Sequence, residues 1–198
     1  MKRPAVFLDR DGTINEQMGY INHPARFVLL PGVARAIRLL NEHEVLAIVV
    51  SNQSGVARGY FPLDLVHEVH DIMRKELASQ GAFLDDVLFC PHHPQGTVPE
   101  YTRTCECRKP RTGMIDQARE RFDIDRTRSF VVGDRFSDVE LAHRCGMQAV
   151  LVETGYGRGE LRYVLPGKEH PPAHVAPDLE SAVQWILHRT GTLKPAEA

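Results

Sequence analysis

The chain has 198 residues, 42% of them hydrophobic and 25% charged, and its 24 Lys and Arg nearly balance 26 Asp and Glu for a formal net charge of −2. This length predicts one domain with enough core for a five- or six-stranded sheet. The near-neutral balance, with basic residues interspersed among acids, gives no electrostatic footprint for nucleic acid and excludes that class of partner from the expectation.

At the N-terminus, Met1-Lys2-Arg3-Pro4 precedes only a short apolar run, too short for a secretory signal, and no window has the length of a membrane-spanning helix. The expectation is a cytoplasmic protein with reduced thiols and no membrane partner. The run Ala5-Val6-Phe7-Leu8 predicts a buried strand, and Asp9-Arg10-Asp11-Gly12-Thr13 follows it directly. Two carboxylates thus stand at a strand end, where an open α/β sheet keeps its chemistry. A turn would explain the residue types, but not their place after a buried strand. Paired carboxylates with separate jobs suit phosphoryl transfer. Asp9 would attack phosphorus and form an aspartyl phosphate, while Asp11 protonates the leaving oxygen and then deprotonates water. A Mg2+ ion against Asp9 would keep it ionised and offset phosphate charge.

Pro31-Gly32 opens a helix to about His43, with Val33, Ile37 and Leu40 on one face, and Val45 to Val50 is a second buried strand. It ends in Ser51-Asn52-Gln53-Ser54-Gly55, which brings a hydroxyl and free backbone N–H groups to a second strand end. Pro62 opens a helix to about Ser79, whose His67 and His70 are expected at the surface or an interface. After a strand over 86–90, Cys90-Pro91-His92-His93-Pro94 and Cys105-Glu106-Cys107 set four ligands in two close pairs. Cys90, His92, Cys105 and Cys107 fit a tetrahedral Zn2+ with no open position, hence a structural site closing the loop 90–107. His93 lacks the Cys-x-His spacing and is not a ligand.

Lys109 adds a cation, Gly113 to Phe122 a helix, and Ser129 to Gly133 a third buried strand running into Asp134-Arg135-Phe136-Ser137-Asp138. A helix over 136–145 takes Cys145 into the core, a strand follows over 148–152 and a helix over 180–187, with 191–198 as a frayed tail. This alternation predicts an α/β fold: a Rossmann-like doubly wound parallel sheet, one domain over residues 1–190, with no interval long enough for a separate cap.

Asp, Ser, Lys and Asp in that order, mostly at strand ends, resembles the haloacid dehalogenase (HAD) superfamily of phosphotransferases. The resemblance implies that Ser51, with the Asn52 amide, holds the phosphoryl oxygens and that Lys109 offsets charge at the nucleophile. It also implies that Asp134 holds Mg2+ with the Asp9 side chain and the Asp11 main-chain carbonyl. Asp138 is read either as a partner of that group or as a helix cap. Asp-Arg-Asp-Gly-Thr-Ile-Asn, Ser-Asn-Gln-Ser-Gly-Val-Ala-Arg-Gly and Cys-Pro-His-His-Pro-Gln-Gly followed by Cys-Glu-Cys-Arg-Lys-Pro closely resemble the D-glycero-D-manno-heptose 1,7-bisphosphate 7-phosphatases. That family sits in the histidinol-phosphatase-like group.

The family resemblance implies hydrolysis of the 7-phosphate during synthesis of ADP-heptose, a lipopolysaccharide precursor. The substrate contacts it implies are Gln17, Met18, Gly19, Tyr20, Ser51, Asn52, Gln53, Ser54, Arg108, Lys109 and Arg135. Ser51 stands where this branch usually has Thr, which keeps the hydroxyl. Arg135 stands where it often has Lys and histidinol phosphatases often have Arg, so histidinol phosphate is the alternative substrate. From other classes, a zinc-stabilised binding module and a phosphosugar-binding pseudoenzyme are the rivals. The expected partner is a small phosphorylated sugar, bound by a monomer.

Overall fold

The computed structural model describes residues 2–191, so the expected tail, apart from Gly191, lies outside the described residues. Its centre is a six-stranded sheet of β1 (Ala5–Leu8), β2 (Leu46–Asn52), β3 (Asp86–Cys90), β4 (Phe130–Gly133), β5 (Gln148–Val152) and β6 (His174–Ala176). The strands lie in the order β3-β2-β1-β4-β5-β6 and every pairing is parallel, with Phe7 aligned to Ile48 on one side and to Val131 on the other. Parallel neighbours need crossovers that cover both faces of the sheet, and β1 and β4 are accordingly buried along their whole length.

The crossovers are α1 (Val33–Glu42), α2 (Leu63–Ser79), α3 (Gly113–Arg121), α4 (Phe136–Arg144) and a single turn α5 (Gly157–Gly159), and α6 (Leu179–Arg189) follows the last strand. Alternate residues of β1 point to opposite faces. Val6 and Leu8 join a core with Ile37 and Leu40 of α1, Met73 of α2 and Val183 of α6, while Ala5 and Phe7 join one with Ile115 of α3 and Leu141 of α4. Cys145 is buried in the second of these, as expected.

Two stretches after β5 escaped the sequence reading. β6 has three residues at the sheet edge and only Val175 of strong strand character, and the helical turns over 157–167 carry no apolar period. β2 also runs two residues past its apolar stretch, because Ser51 and Asn52 continue the ladder opposite Phe89 and Cys90. Between β1 and β2 the chain forms one 3-10 turn (Pro24–Arg26) and α1, and between β2 and β3 only α2. The strand order reverses at β1, which has β2 on one side and β4 on the other. The crevice at the carboxyl ends of these strands is where such sheets bind ligands.

Candidate active site

β1 ends at Leu8 and delivers Asp9 into that crevice, its N–H donating to the Val132 carbonyl of β4 at 2.9 Å. Asp9 is 7% exposed, and its Oδ1 lies 2.8 Å from Lys109 Nζ. Lys109 Nζ also meets Asp138 Oδ1 at 2.7 Å, so one buried cation serves two buried carboxylates. The Lys109 backbone is clamped by the side chain at the end of β2: Asn52 Oδ1 accepts from Lys109 N–H at 3.0 Å and Asn52 Nδ2 donates to Lys109 O at 3.2 Å. Asp138 takes up the helix-start reading and also reaches Lys109. Its Oδ2 accepts from the Arg135 N–H at the start of α4, at 3.2 Å, while its Oδ1 pairs with Lys109.

Burial raises the Asp9 carboxyl to about 6 against the opposing pull of Lys109, with Asp138 adding to the rise. For Lys109, burial alone would favour the neutral amine, but Asp138 and Asp9 outweigh it and hold the ammonium firmly charged.

Asp134, at the end of β4, is fully buried; its Oδ2 accepts from the Tyr156 N–H at 2.8 Å and its Oδ1 has no partner. Burial, then Asp9, raises its carboxyl to about 8. A side chain at Gly12 or Gly155 would place a Cβ 2.2 Å from Asp134 Oδ2, and both glycines have positive φ, 89° and 56°. The two turns can close around this carboxylate only without Cβ atoms. Carboxylate oxygens of Asp9, Asp134 and Asp138 come within 4.8 Å of one another. Asp138 is committed to Lys109 and Arg135, which leaves Asp9 and the orphaned Asp134 oxygen as hard donors suited to a small divalent cation. The Asp11 carbonyl accepts from Gln17 Nε2 at 3.3 Å.

The Asp11 carboxylate lies in a separate network. Arg10 Nη2 donates to both of its oxygens at 2.9 Å, Asn15 Nδ2 to Oδ1 at 3.1 Å and Gln53 Nε2 to Oδ2 at 2.8 Å. Burial works against the anion, but Arg10, Asn15 and Gln53 prevail and hold the carboxyl below its usual range. Two acids two residues apart therefore titrate in opposite directions.

A pocket of about 400 Å³ opens over this constellation, where Arg58, Arg108, Lys109 and Arg135 share the lining with Asp9 and Asp11. All the expected substrate contacts line it except Met18, Ser51 and Gln53. Met18 packs against the larger core. Gln53 is buried and spends its amide on Asp11 and on Ser51 Oγ, which it reaches at 2.7 Å. Ser51 is 1% exposed in this arrangement.

The four expected zinc ligands do converge. Cys90, Cys105 and Cys107 are free thiols, with Sγ separations of 2.9 Å, 3.3 Å and 3.4 Å, and His92 Nδ1 lies 3.3 Å from Cys107 Sγ and 3.7 Å from Cys90 Sγ. Bonds of about 2.3 Å to a tetrahedral ion would need edges of about 3.8 Å, so the four atoms would move apart by a few tenths of an ångström, and by up to about 1 Å between Cys90 and Cys107, to hold one. The hydrogen bond with Cys90, helped by His92, draws Cys107 down to about 5, the thiolate form a metal needs, while Cys90 is pushed up. Cys90 ends β3 opposite Asn52, and Arg108 donates to the His92 carbonyl at 3.4 Å, so this loop is continuous with the pocket wall.

Comparison with known proteins gives the same direction at every level. A HAD-hydrolase-like family model matches residues 106–182. A D-glycero-D-manno-heptose-1,7-bisphosphate 7-phosphatase of Thermosynechococcus vestitus is 45% identical over 94% of the chain and 96% of its own length. A D-glycero-beta-D-manno-heptose-1,7-bisphosphate 7-phosphatase of Escherichia coli K12 is 37% identical over 98% of the chain and 93% of its own. The chain belongs to the D-glycero-D-manno-heptose-1,7-bisphosphate 7-phosphatase family. Among solved structures, a D,D-heptose 1,7-bisphosphate phosphatase from B. bronchiseptica, crystallised with magnesium and phosphate, superposes with a TM-score of 0.82 at 32% identity, covering 94% of this chain and 99% of that one.

Within this member of the family, the sequence reading missed Arg10, Ser137 and Tyr156, and held Arg58 only as part of a selectivity loop over 54–59. Arg58, Ser137 and Tyr156 line the pocket, and the Arg135 guanidinium stacks 4.1 Å from the centre of the Tyr156 ring. Tyr156 follows β5, a strand end to which the sequence reading gave no chemistry. Arg10 lies between two acids at a buried strand end, and that position was the one available sign that it would be buried. One expectation is overturned. His67 is exposed, as expected, but His70 is buried, 5% exposed, because its face of α2 turns inward onto Arg10.

Proposed function

We propose that the chain is a Mg2+-dependent phosphoric monoester hydrolase that removes the 7-phosphate of D-glycero-D-manno-heptose 1,7-bisphosphate in ADP-heptose and lipopolysaccharide core synthesis. It would work as a cytoplasmic monomer, with residues 1–190 acting as one domain. The reading is carried by Asp9 held 2.8 Å from Lys109 Nζ beside the unpartnered buried oxygen of Asp134, in a chain whose relatives bear that name over nearly its full length.

Asp9 is the nucleophile; Lys109 keeps its carboxylate ionised and oriented, and the aspartyl phosphate forms on it. Asp11 gives a proton to the leaving sugar oxygen and then takes one from the water that cleaves the aspartyl phosphate. Its network of Arg10, Asn15 and Gln53 favours the anion, suited to the second half of the cycle. An arriving phosphate dianion pushes its pKa upward, as any like charge does, and suits it to the first. Asp9, Asp134 and the Asp11 carbonyl are the groups that would hold Mg2+, which when bound supplies charge neutralisation for the phosphoryl group. Ser51 and the Asn52 main-chain amide would receive phosphoryl oxygens, Ser51 through its O–H while its oxygen accepts from Gln53. Arg58, Arg108 and Arg135 give the pocket a cationic wall for a second anionic group. Cys90, His92, Cys105 and Cys107 would hold a structural Zn2+ that fixes the segment leading into Arg108 and Lys109.

Histidinol phosphate is not favoured, since the relatives matched over most of the chain carry the heptose name. Phosphate release from both heptose bisphosphate anomers and from histidinol phosphate, with Mg2+, tests the assignment. One heptose anomer is expected to exceed histidinol phosphate in kcat/KM by about a hundredfold, which is about 2.7 kcal/mol of transition-state discrimination. A higher value for histidinol phosphate would overturn it.

A further inference from the structure

Arg10 is 2% exposed, one of the largest fully buried side chains, and it is a donor on every edge. Its Nε and Nη2 face Asp11, at 3.3 Å and 2.9 Å, and Nη2 also reaches Gln53 Oε1 at 3.1 Å. The remaining edge, Nη1, points at α2 and meets His70 Nε2 at 3.2 Å. An arginine has no acceptor, so His70 must accept through Nε2 and carry its proton on Nδ1. The ring stands edge-on to Phe89 of β3, with centroids 5.3 Å apart, which holds it in that orientation. Burial, then Arg10 itself, takes the His70 pKa down to about 3, so the ring is neutral near pH 7.

We infer that His70 is a positioning residue for proton transfer: by accepting from Arg10 Nη1 it fixes the guanidinium whose other edge holds Asp11 at the nucleophile. The inference rests on the assignment of Asp11 as the acid–base group. A buried guanidinium edge without an acceptor is costly, and Arg10 would rotate to find one elsewhere, taking the Asp11 carboxylate with it. A displacement of about 1 Å at a group that must meet the leaving oxygen can cost up to about a hundredfold in rate. Substrate affinity, which depends on the pocket arginines, would be largely spared.

The test compares His70→Phe, which keeps a ring of similar size without an acceptor, with His70→Gln, whose amide oxygen can still accept. Steady-state kinetics use the Mg2+-loaded enzyme and heptose 1,7-bisphosphate. For H70F, kcat is expected to fall about tenfold with KM within about twofold of the parent, and for H70Q to recover to within about threefold. In an Arg10→Lys background, H70F should add no further loss, because the two act through one contact. If H70F does not fold, His70→Leu replaces it as the acceptor-free variant against the same H70Q. A folded acceptor-free variant with parental kcat, or equal losses in that variant and H70Q, would overturn the inference. Asp11→Asn, measured alongside, separates this from the larger reading: parental turnover there would remove the acid–base role itself, whatever His70 does.

Discussion

Asp9 is a buried carboxylate facing a buried ammonium, and the pair is unequal, since Lys109 divides its charge between Asp9 at 2.8 Å and Asp138 at 2.7 Å. That sharing keeps Lys109 charged and lets burial raise Asp9 to about 6, so Asp9 is neither locked in a closed ion pair nor silenced as an acid. Asp9→Asn retains the shape and removes the oxygen proposed as the nucleophile, while Asp138 still satisfies Lys109. Turnover is expected to fall by more than about a thousandfold, with substrate affinity by calorimetry retained. Parental turnover in that variant would sink the covalent mechanism. Arg10 and His70 show the limit of sequence at this scale. Their types and positions were plain, and the stripe of Val66, Val69, Met73 and Leu77 runs through His70, but nothing local says that the group it meets there is a buried arginine from a strand end.

The loop between β3 and α3 couples chemistry to architecture. Cys90 closes β3 opposite Asn52, Asn52 grips the Lys109 backbone, and Arg108 binds the His92 carbonyl. The four candidate metal ligands thus lead directly into the segment that places both cations, and Arg108 and Lys109, next along the chain, form part of the pocket wall. Cys107→Ser removes one ligand. The variant is expected to lose zinc by elemental analysis and about 10 °C in Tm, as about 3 kcal/mol would do in a chain of this size. KM should rise more than kcat falls, since Arg108 loses its anchor. An unchanged Tm with zinc lost would show that the loop is held without the metal. The spacing of these ligands was legible because Cys-x-His and Cys-x-Cys are local. The pairing of Cys90 with Asn52 was not, because strand register is set by long-range packing.

At the scale of the whole molecule, the reversal of strand order at β1 gathers Asp9, Asn52 and Asp134 from three strands into one crevice. Its acids are concentrated enough to tax the metal-free fold. Asp9 rises to about 6 and Asp134 to about 8, so the folded state binds more protons than the unfolded chain from about pH 4 upward. Stability of the metal-free protein should therefore fall as pH rises through those values. Mg2+ takes the place of the protons, and its stabilising effect should be larger at pH 8 than at pH 6. Thermal unfolding with and without Mg2+ at both values checks this; a larger shift at pH 6 would contradict the assignment of these acids to the metal.

Sequence alone determined the alternation of buried strands and amphipathic helices, the acids at the ends of β1 and β4, and the Cys and His set that converges into one cluster, since each is written in local periodicity or short spacing. Tertiary structure decided how those residues share their interactions. It gave Asp138 to both Lys109 and a helix start, turned the Ser51 hydroxyl toward Gln53, added β6 at the edge, and buried His70 against Arg10. The physical reason is that a buried polar group must find a partner, and which partner it finds depends on what the fold brings beside it from distant parts of the chain.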